Sequence, residues 1–162
     1  MVAKFDTIKL KIIPGGREYK MWTDLTRCGI LINGKDIRKY VVKISDQFRQ
    51  KEGMEAEGEG GFGHLDPEEL YNELKEALLT GERAYILCCG GCGEAGCYSA
   101  RCRVRIEDDC YVWYDFTTIR DWDLGLTFRF KKEDYEAFMD ELRTTPIKVT
   151  DGRIIKWWEH KE

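Results

Sequence analysis

Residues 102–116 read CRVRIEDDCYVWYDF. Cys102, Val104 and Ile106 alternate with Arg103 and Arg105, the period of two that an extended strand imposes on its two faces. Glu107, Asp108 and Asp109 interrupt that pattern as a turn, and Tyr111 to Phe116 resume it with residues that suit a pleated surface. Strands joined by so short a turn pair antiparallel, because a parallel return needs a crossover of a dozen or more residues. One face of the first strand is core and the other carries Arg101, Arg103 and Arg105. On the second, Val112, Tyr114 and Phe116 are expected to oppose Tyr111, Trp113 and Asp115.

Further strand signals lie on both sides. Ile8, Leu10 and Ile12 alternate with Lys9 and Lys11, and Pro14-Gly15-Gly16 turns the chain toward a second strand over Glu18 to Trp22. RCGILIN, residues 27–33, reads as a third strand closed by Asn33-Gly34, RAYILCC at 83–89 as a short apolar one, and LTFRF at 126–130 as another. The tail carries Asp151-Gly152 between two apolar runs, the two-residue signal of a tight hairpin, with Trp157 and Trp158 on opposite faces of its last strand.

Three segments change to the helical period. Ile37, Tyr40, Val41, Ile44 and Phe48 recur at three and four residues behind a capping Asp36. Asp66 caps a second helix with Pro67 in its first turn, Leu70, Leu74, Ala77 and Leu78 as its buried stripe, and Gly81 at its end. Tyr135, Phe138, Met139 and Leu142 mark the third. Strands in hairpin succession with single helices between them describe one α+β domain over 1–162 with a largely antiparallel sheet and about three helices. Residues 51–64, with five Gly and four Glu, are expected to form a mobile acidic loop.

The chain has 162 residues, 43% apolar and 12% aromatic, which supplies the core of one domain and excludes wholesale disorder. No apolar run approaches the length of a spanning helix, and Lys4, Asp6 and Lys9 interrupt any leader, so a cytoplasmic protein without a membrane partner is expected. Residues 1–50 carry eleven Lys/Arg against five Asp/Glu, and residues 51–76 two against nine. The basic residues are scattered and the net charge is -4, which argues against nucleic acid and leaves an unknown protein or small molecule as partner.

Taken in order, Ile32-Asn33-Gly34 before a helix, the loop with Cys92, Gly93, Gly96 and Cys97, and the strand with Val112, Trp113 and Phe116 resemble a family of uncharacterised bacterial proteins. The resemblance covers roughly residues 28–140 and implies no established activity. The family loop places its first Cys two residues before the Cys-Gly pair, where here Cys89 stands three before.

Cys89-Gly-Gly-Cys92-Gly93 has the shape of a zinc knuckle, with Cys97 and Cys102 to complete four thiolates. Cys102, however, sits in the alternating strand and is expected to face the core, and Cys28, Cys88, Cys110 or His64 could replace it. Three readings stand side by side: a structural zinc site at Cys89, Cys92, Cys97 and Cys102, thiols that merely pack a Gly-rich turn, and a redox or catalytic pair at Cys89 and Cys92. The last lacks a helix N-terminus to favour a thiolate.

Other motifs carry less. Gly29 to Asp36 matches a phosphate loop except that Asp36 replaces the metal-binding hydroxyl, and GxGxxG at 58–63 and 91–96 lacks the strand-turn-helix context. His64 reads as a surface-loop histidine that could assist a thiol, and Asp115, Asp121 and Asp123 as solvated turn residues that could converge as an acid/base set. With no decisive catalytic signature, the sequence points to a binding or interaction module with a structural Cys loop, and second to a thiol-dependent enzyme or redox protein.

Overall fold

A computed structural model describes residues 4–13, 26–90, 98–148 and 152–160. In chain order the elements are β1 (Ile8–Ile13), β2 (Arg27–Ile32), β3 (Lys35–Asp36), α1 (Ile37–Lys51), β4 (Phe62–Gly63), α2 (Pro67–Thr80) and β5 (Ala84–Cys89). They continue with β6 (Ala100–Glu107), β7 (Cys110–Thr118), β8 (Phe128–Lys131), α3 (Lys132–Arg143), β9 (Ile147–Lys148) and β10 (Ile154–Ile155). Within each sheet all pairings are antiparallel, in the orders β1-β2-β3, β4-β5-β6-β7-β8 and β10-β9, so the architecture is α+β.

The two larger sheets meet edge to edge at both ends. At one seam Asp6 bridges Phe130 in parallel: its N–H donates to Arg129 O at 2.7 Å and its Oδ2 accepts from Arg129 N at 2.9 Å. At the other, Cys28 bridges Leu65, with Cys28 N donating to Leu65 O at 2.8 Å. The Asn33-Gly34 turn supports the first seam. Both residues have positive φ, 54° and 79°, the geometry of a two-residue hairpin turn between β2 and β3. Asn33 Oδ1 accepts from Thr7 N at 3.0 Å, and its Nδ2 donates to Asp6 Oδ1 at 2.8 Å.

One hydrophobic core joins the sheets and helices. Trp113 lies at its centre, edge-on to Phe130, Tyr135 and Phe138, with its Nε1 donating to the Tyr135 hydroxyl at 3.2 Å. On the α1 side, Tyr40 meets Phe128 edge-on and Phe48 stacks on Trp122. The helix boundaries follow the expected caps: Asp36 Oδ1 accepts from Arg38 N, Asp66 Oδ1 accepts from Glu69 N, and Gly81 closes α2 with φ 77°.

Several expectations change. The strand expected over Glu18 to Trp22 lies outside the described residues, and β1 pairs directly with β2, Ile8 opposite Ile32 and Ile13 opposite Arg27. Trp157 and Trp158 occupy a 3-10 helix, not a strand; Trp157 is buried and its Nε1 donates to Thr145 O at 2.9 Å. The 102–116 hairpin forms, but its face assignment shifts. Arg103 lies opposite Tyr114 while Arg101 lies opposite Thr117, so β7 carries an extra residue, and Asp115 sits there with φ 54°. Trp113 and Phe116 both turn to the core as a result, while Val112, on the opposite face, is buried as well.

Segment 51–64 is tethered rather than bare loop. Asp46 accepts from the N–H groups of Glu57 and Gly58, Arg49 Nε donates to Glu55 O, a 3-10 turn spans Glu59–Gly61, and Phe62 is buried against Tyr98. Its glycines meet those of the Cys loop: Gly90 N donates to Gly61 O at 3.1 Å, and a Cβ on Gly90 would collide with the Gly60 carbonyl oxygen. Gly60 and Gly61 of the first Gly-rich stretch thus meet Gly90 where backbone packs on backbone. Gly90→Ala is expected to lower stability by about 1–3 kcal/mol. Gly60→Ala, whose Cβ would meet nothing within 4 Å, should stay within about 0.5 kcal/mol of the parent. Urea unfolding of both variants checks this, and equal effects would refute the close-approach account.

Candidate functional site

Of the expected metal ligands, the two among the described residues, Cys89 and Cys102, do not share one point. Cys89, at the end of β5, is partly exposed and lies opposite Phe62. Cys92 and Cys97 lie outside the described residues. Cys102 is fully buried in the core, opposite Ala84 and five positions along β5 from Cys89, a separation of about 16 Å at strand rise. Burial, reinforced by Asp115, pushes its thiol well above the ordinary value, which suits a packed apolar side chain. The set Cys89, Cys92, Cys97 and Cys102 therefore loses its last member on geometry. Cys28 is likewise buried with its thiol pushed up, first by burial and then by Asp66 and Glu141. Cys88 donates to the His64 carbonyl at 3.4 Å. Among the described residues no group of three His, Cys, Asp or Glu side chains is arranged to hold an ion.

His64 departs most from expectation. Its position among glycines and glutamates suggests an exposed loop, yet its side chain is 0% exposed and its Nε2 lies 3.3 Å from Asp36 Oδ2. Asp36 is also the N-cap of α1 and receives the Arg38 guanidinium, with Nη2 at 3.0 Å from Oδ2; Arg38 Nη1 reaches on to Phe62 O at 3.4 Å. Burial opposes the charge on Asp36, but the His64 ring and the Arg38 groups together outweigh it and hold the carboxyl well below the usual carboxylate range. The ring that could have assisted a thiol is thus enclosed against a carboxylate at the seam between the sheets.

A second constellation lies on the outer face of the five-stranded sheet, opposite the face that buries Trp113. Register places Arg103 beside Tyr114 and aligns Arg105, Val112 and Arg129 in one row, with Glu107, Cys110 and Lys131 in the next. Asp115 Oδ2 accepts from Arg103 Nε at 2.7 Å and from Arg83 Nη2 at 2.9 Å. Glu107 is shared in the same way, by Arg105 at 2.8 Å and Arg129 at 3.1 Å. The Arg105 guanidinium lies 4.2 Å from the Tyr114 ring centre and that of Arg101 lies 5.9 Å from Tyr85. Partial burial opposes ionisation of Asp115, yet Arg103 and Arg83 hold its carboxyl below the ordinary range, as Arg105 and Arg129 do for Glu107. Asp115, Asp121 and Asp123 do not converge: Asp121 pairs with Arg101, and Asp123 Oδ1 accepts from Gly125 N.

The alternating arginines of β6 were the legible half of this face. The bulge that turns Asp115 outward and the partners Arg83 and Arg129, from separate segments, carry no local signal. No protein-family model, curated protein or solved structure matches the chain, and no helix among the described residues is long and apolar enough to cross a membrane.

The lowered Asp36 carboxyl has a pH consequence. The folded state binds this proton more weakly than the unfolded chain, whose carboxyl titrates near pH 4, roughly, so the contribution to stability is full above that value and is lost as pH falls through and below it. The parent should lose stability more steeply below about pH 5 than Asp36→Asn, which keeps a cap but not the charge. At neutral pH, Asp36→Ala should cost about 2–4 kcal/mol. Denaturant midpoints across the acid range test this, and parallel curves for parent and Asp36→Asn would contradict it.

Proposed function

We propose that the protein is a binding module whose recognition surface is the outer face of the β5–β8 sheet, with the Cys loop as a structural element. The observation that carries this reading is the sharing of single carboxylates, Asp115 and Glu107, by two guanidiniums each on a part-exposed sheet face. Exposed ion pairs add little to stability, so the fold has small need of them. What they supply is a set of arginine forks fixed in direction, each trio keeping an excess of one positive charge. Fork donors held in place bind oxyanions with less ordering cost than free side chains. The partner is accordingly anionic.

The test is binding of long-chain inorganic polyphosphate by the full chain at low salt, followed by fluorescence anisotropy. Affinity should fall with added salt, and Arg105→Gln combined with Arg129→Gln should weaken it by about tenfold. Absence of binding, or equal binding by the variant, would refute the open-face reading.

In the Cys loop, zinc is the ion the thiolates suit, with Cys89, Cys92 and Cys97 as ligands and the fourth position filled from elsewhere than Cys102. Elemental analysis of protein purified without added metal should find about one zinc per chain, retained in Cys102→Ala and lost in Cys92→Ala. Absence of zinc from the purified protein, with all seven thiols titrating once it is unfolded in denaturant without chelator, would remove zinc from this reading.

A further inference from the structure

Glu82, Arg83, Tyr85, Arg101 and Arg103 line an open-sided cavity of about 330 Å3 at the end of the arginine face nearest the C-terminus of α2. Three guanidiniums line it with the Glu82 carboxylate, and Asp115 and Asp121, which pair with them from beside the cavity, balance the remaining charge. Each guanidinium is held from a different direction. Arg103 is fixed by Asp115 and by the Gly81 carbonyl that closes α2, Arg83 approaches the same Asp115 oxygen from the segment after α2, and Arg101 lies over Tyr85 with Asp121 on its far side. The Nε–H groups of Arg83 and Arg101 are shielded from water and have no acceptor among the described residues. A shielded donor without an acceptor is a cost without return, and two such donors on side chains that line one cavity favour an acceptor that draws the guanidiniums outward.

We infer that this cavity binds the phosphate of a small phosphomonoester, an inference that rests on the binding-module reading above. A tetrahedral phosphate offers three oxygens to three guanidiniums, two from β6 and one from the segment after α2, whereas a planar carboxylate offers two and leaves one guanidinium unanswered. The volume exceeds that of the anion alone, and Tyr85 supplies a wall for a small organic group attached to it.

The experiment is a titration of the full chain, labelled with 15N, with phenyl phosphate, inorganic phosphate and benzoate, read at the arginine Nε–Hε resonances. Phenyl phosphate should shift Arg83, Arg101 and Arg103 saturably and bind at least about tenfold more tightly than benzoate. Arg83→Gln and Arg101→Gln should each weaken it by about tenfold, and Lys39→Gln, on exposed α1 surface, should leave it unchanged. Near-UV circular dichroism from the buried Trp113 checks that the variants fold. Arg101→Lys, which keeps the charge but loses the fork, should still lose several-fold in affinity and so covers failure of the Gln variant. Equal binding of benzoate would overturn the phosphate assignment. Shifts confined to Arg105 and Arg129, or binding of a single-stranded oligonucleotide with phenyl phosphate silent, would overturn this cavity while leaving the open face standing. Silence toward every anion, polyphosphate included, would overturn both.

Discussion

Asp36 is a carboxylate held mostly away from water by the first turn of α1, the Arg38 guanidinium and the His64 ring, and it stands where three parts of the chain meet. Taking a charge out of water costs several kcal/mol unless the surrounding donors answer it closely. Here they do, and each donor belongs to something the fold must position. The cap fixes the direction of α1, Arg38 reaches the backbone of β4, and His64 leads into Leu65, whose carbonyl accepts the Cys28 N–H that joins the sheets. At the opposite seam Asp6 plays a comparable part, accepting from the β8 backbone and from the Asn33 side chain. Two acidic side chains, each serving more than one donor, close the sheets upon one another.

The outer sheet face has a different logic. An extra residue in β7 forces Asp115 into the left-handed region, where a non-glycine residue pays a steric penalty that Asp and Asn bear best. The bulge resets the alternation so that Phe116 turns to the core while Asp115 turns outward between Arg83 and Arg103. One local irregularity thereby serves packing on one side and the charged face on the other. The aromatic core tolerates it because Phe116 is met edge-on by Phe128, which also packs against Tyr40 of α1.

What could be read in the sequence was whatever depends on neighbours in the chain. Hydrophobic periods found α1, α2 and α3, and single side chains found the caps at Asp36 and Asp66 and the stop at Gly81, because each acts within a few residues of itself. The two-residue Asn33-Gly34 turn was legible for the same reason. His64 was not, since its burial depends on Asp36, and the seam it adjoins is made by Cys28 and Leu65, which are distant in sequence. Nor was the bulge, because CYVWYDF alternates without a visible break. The arginines of β6 were seen as a polar face, but Asp115, which orders Arg103, comes from the bulge of β7, and Arg83 and Arg129, which complete the two trios, come from other segments. Spacing grouped Cys102 with the loop thiols, whereas its place in an alternating strand pointed to the core, and strand geometry prevailed.

The seam at Asp6 also orders events in time. Asp6 and Phe130 are separated by most of the chain, and Thr26 likewise binds Lys148 through both its backbone and its hydroxyl. Closing contacts of such sequence separation cost loop entropy before they return any energy, which slows folding relative to a helical domain of equal size. During synthesis from the N-terminus, β1 and β2 can pair early, but Asp6, just ahead of β1, has no β8 to join until that strand has emerged. Until then the nascent sheet carries an open edge, and Lys9 and Lys11 place charge along it, a feature that discourages pairing with the wrong strand.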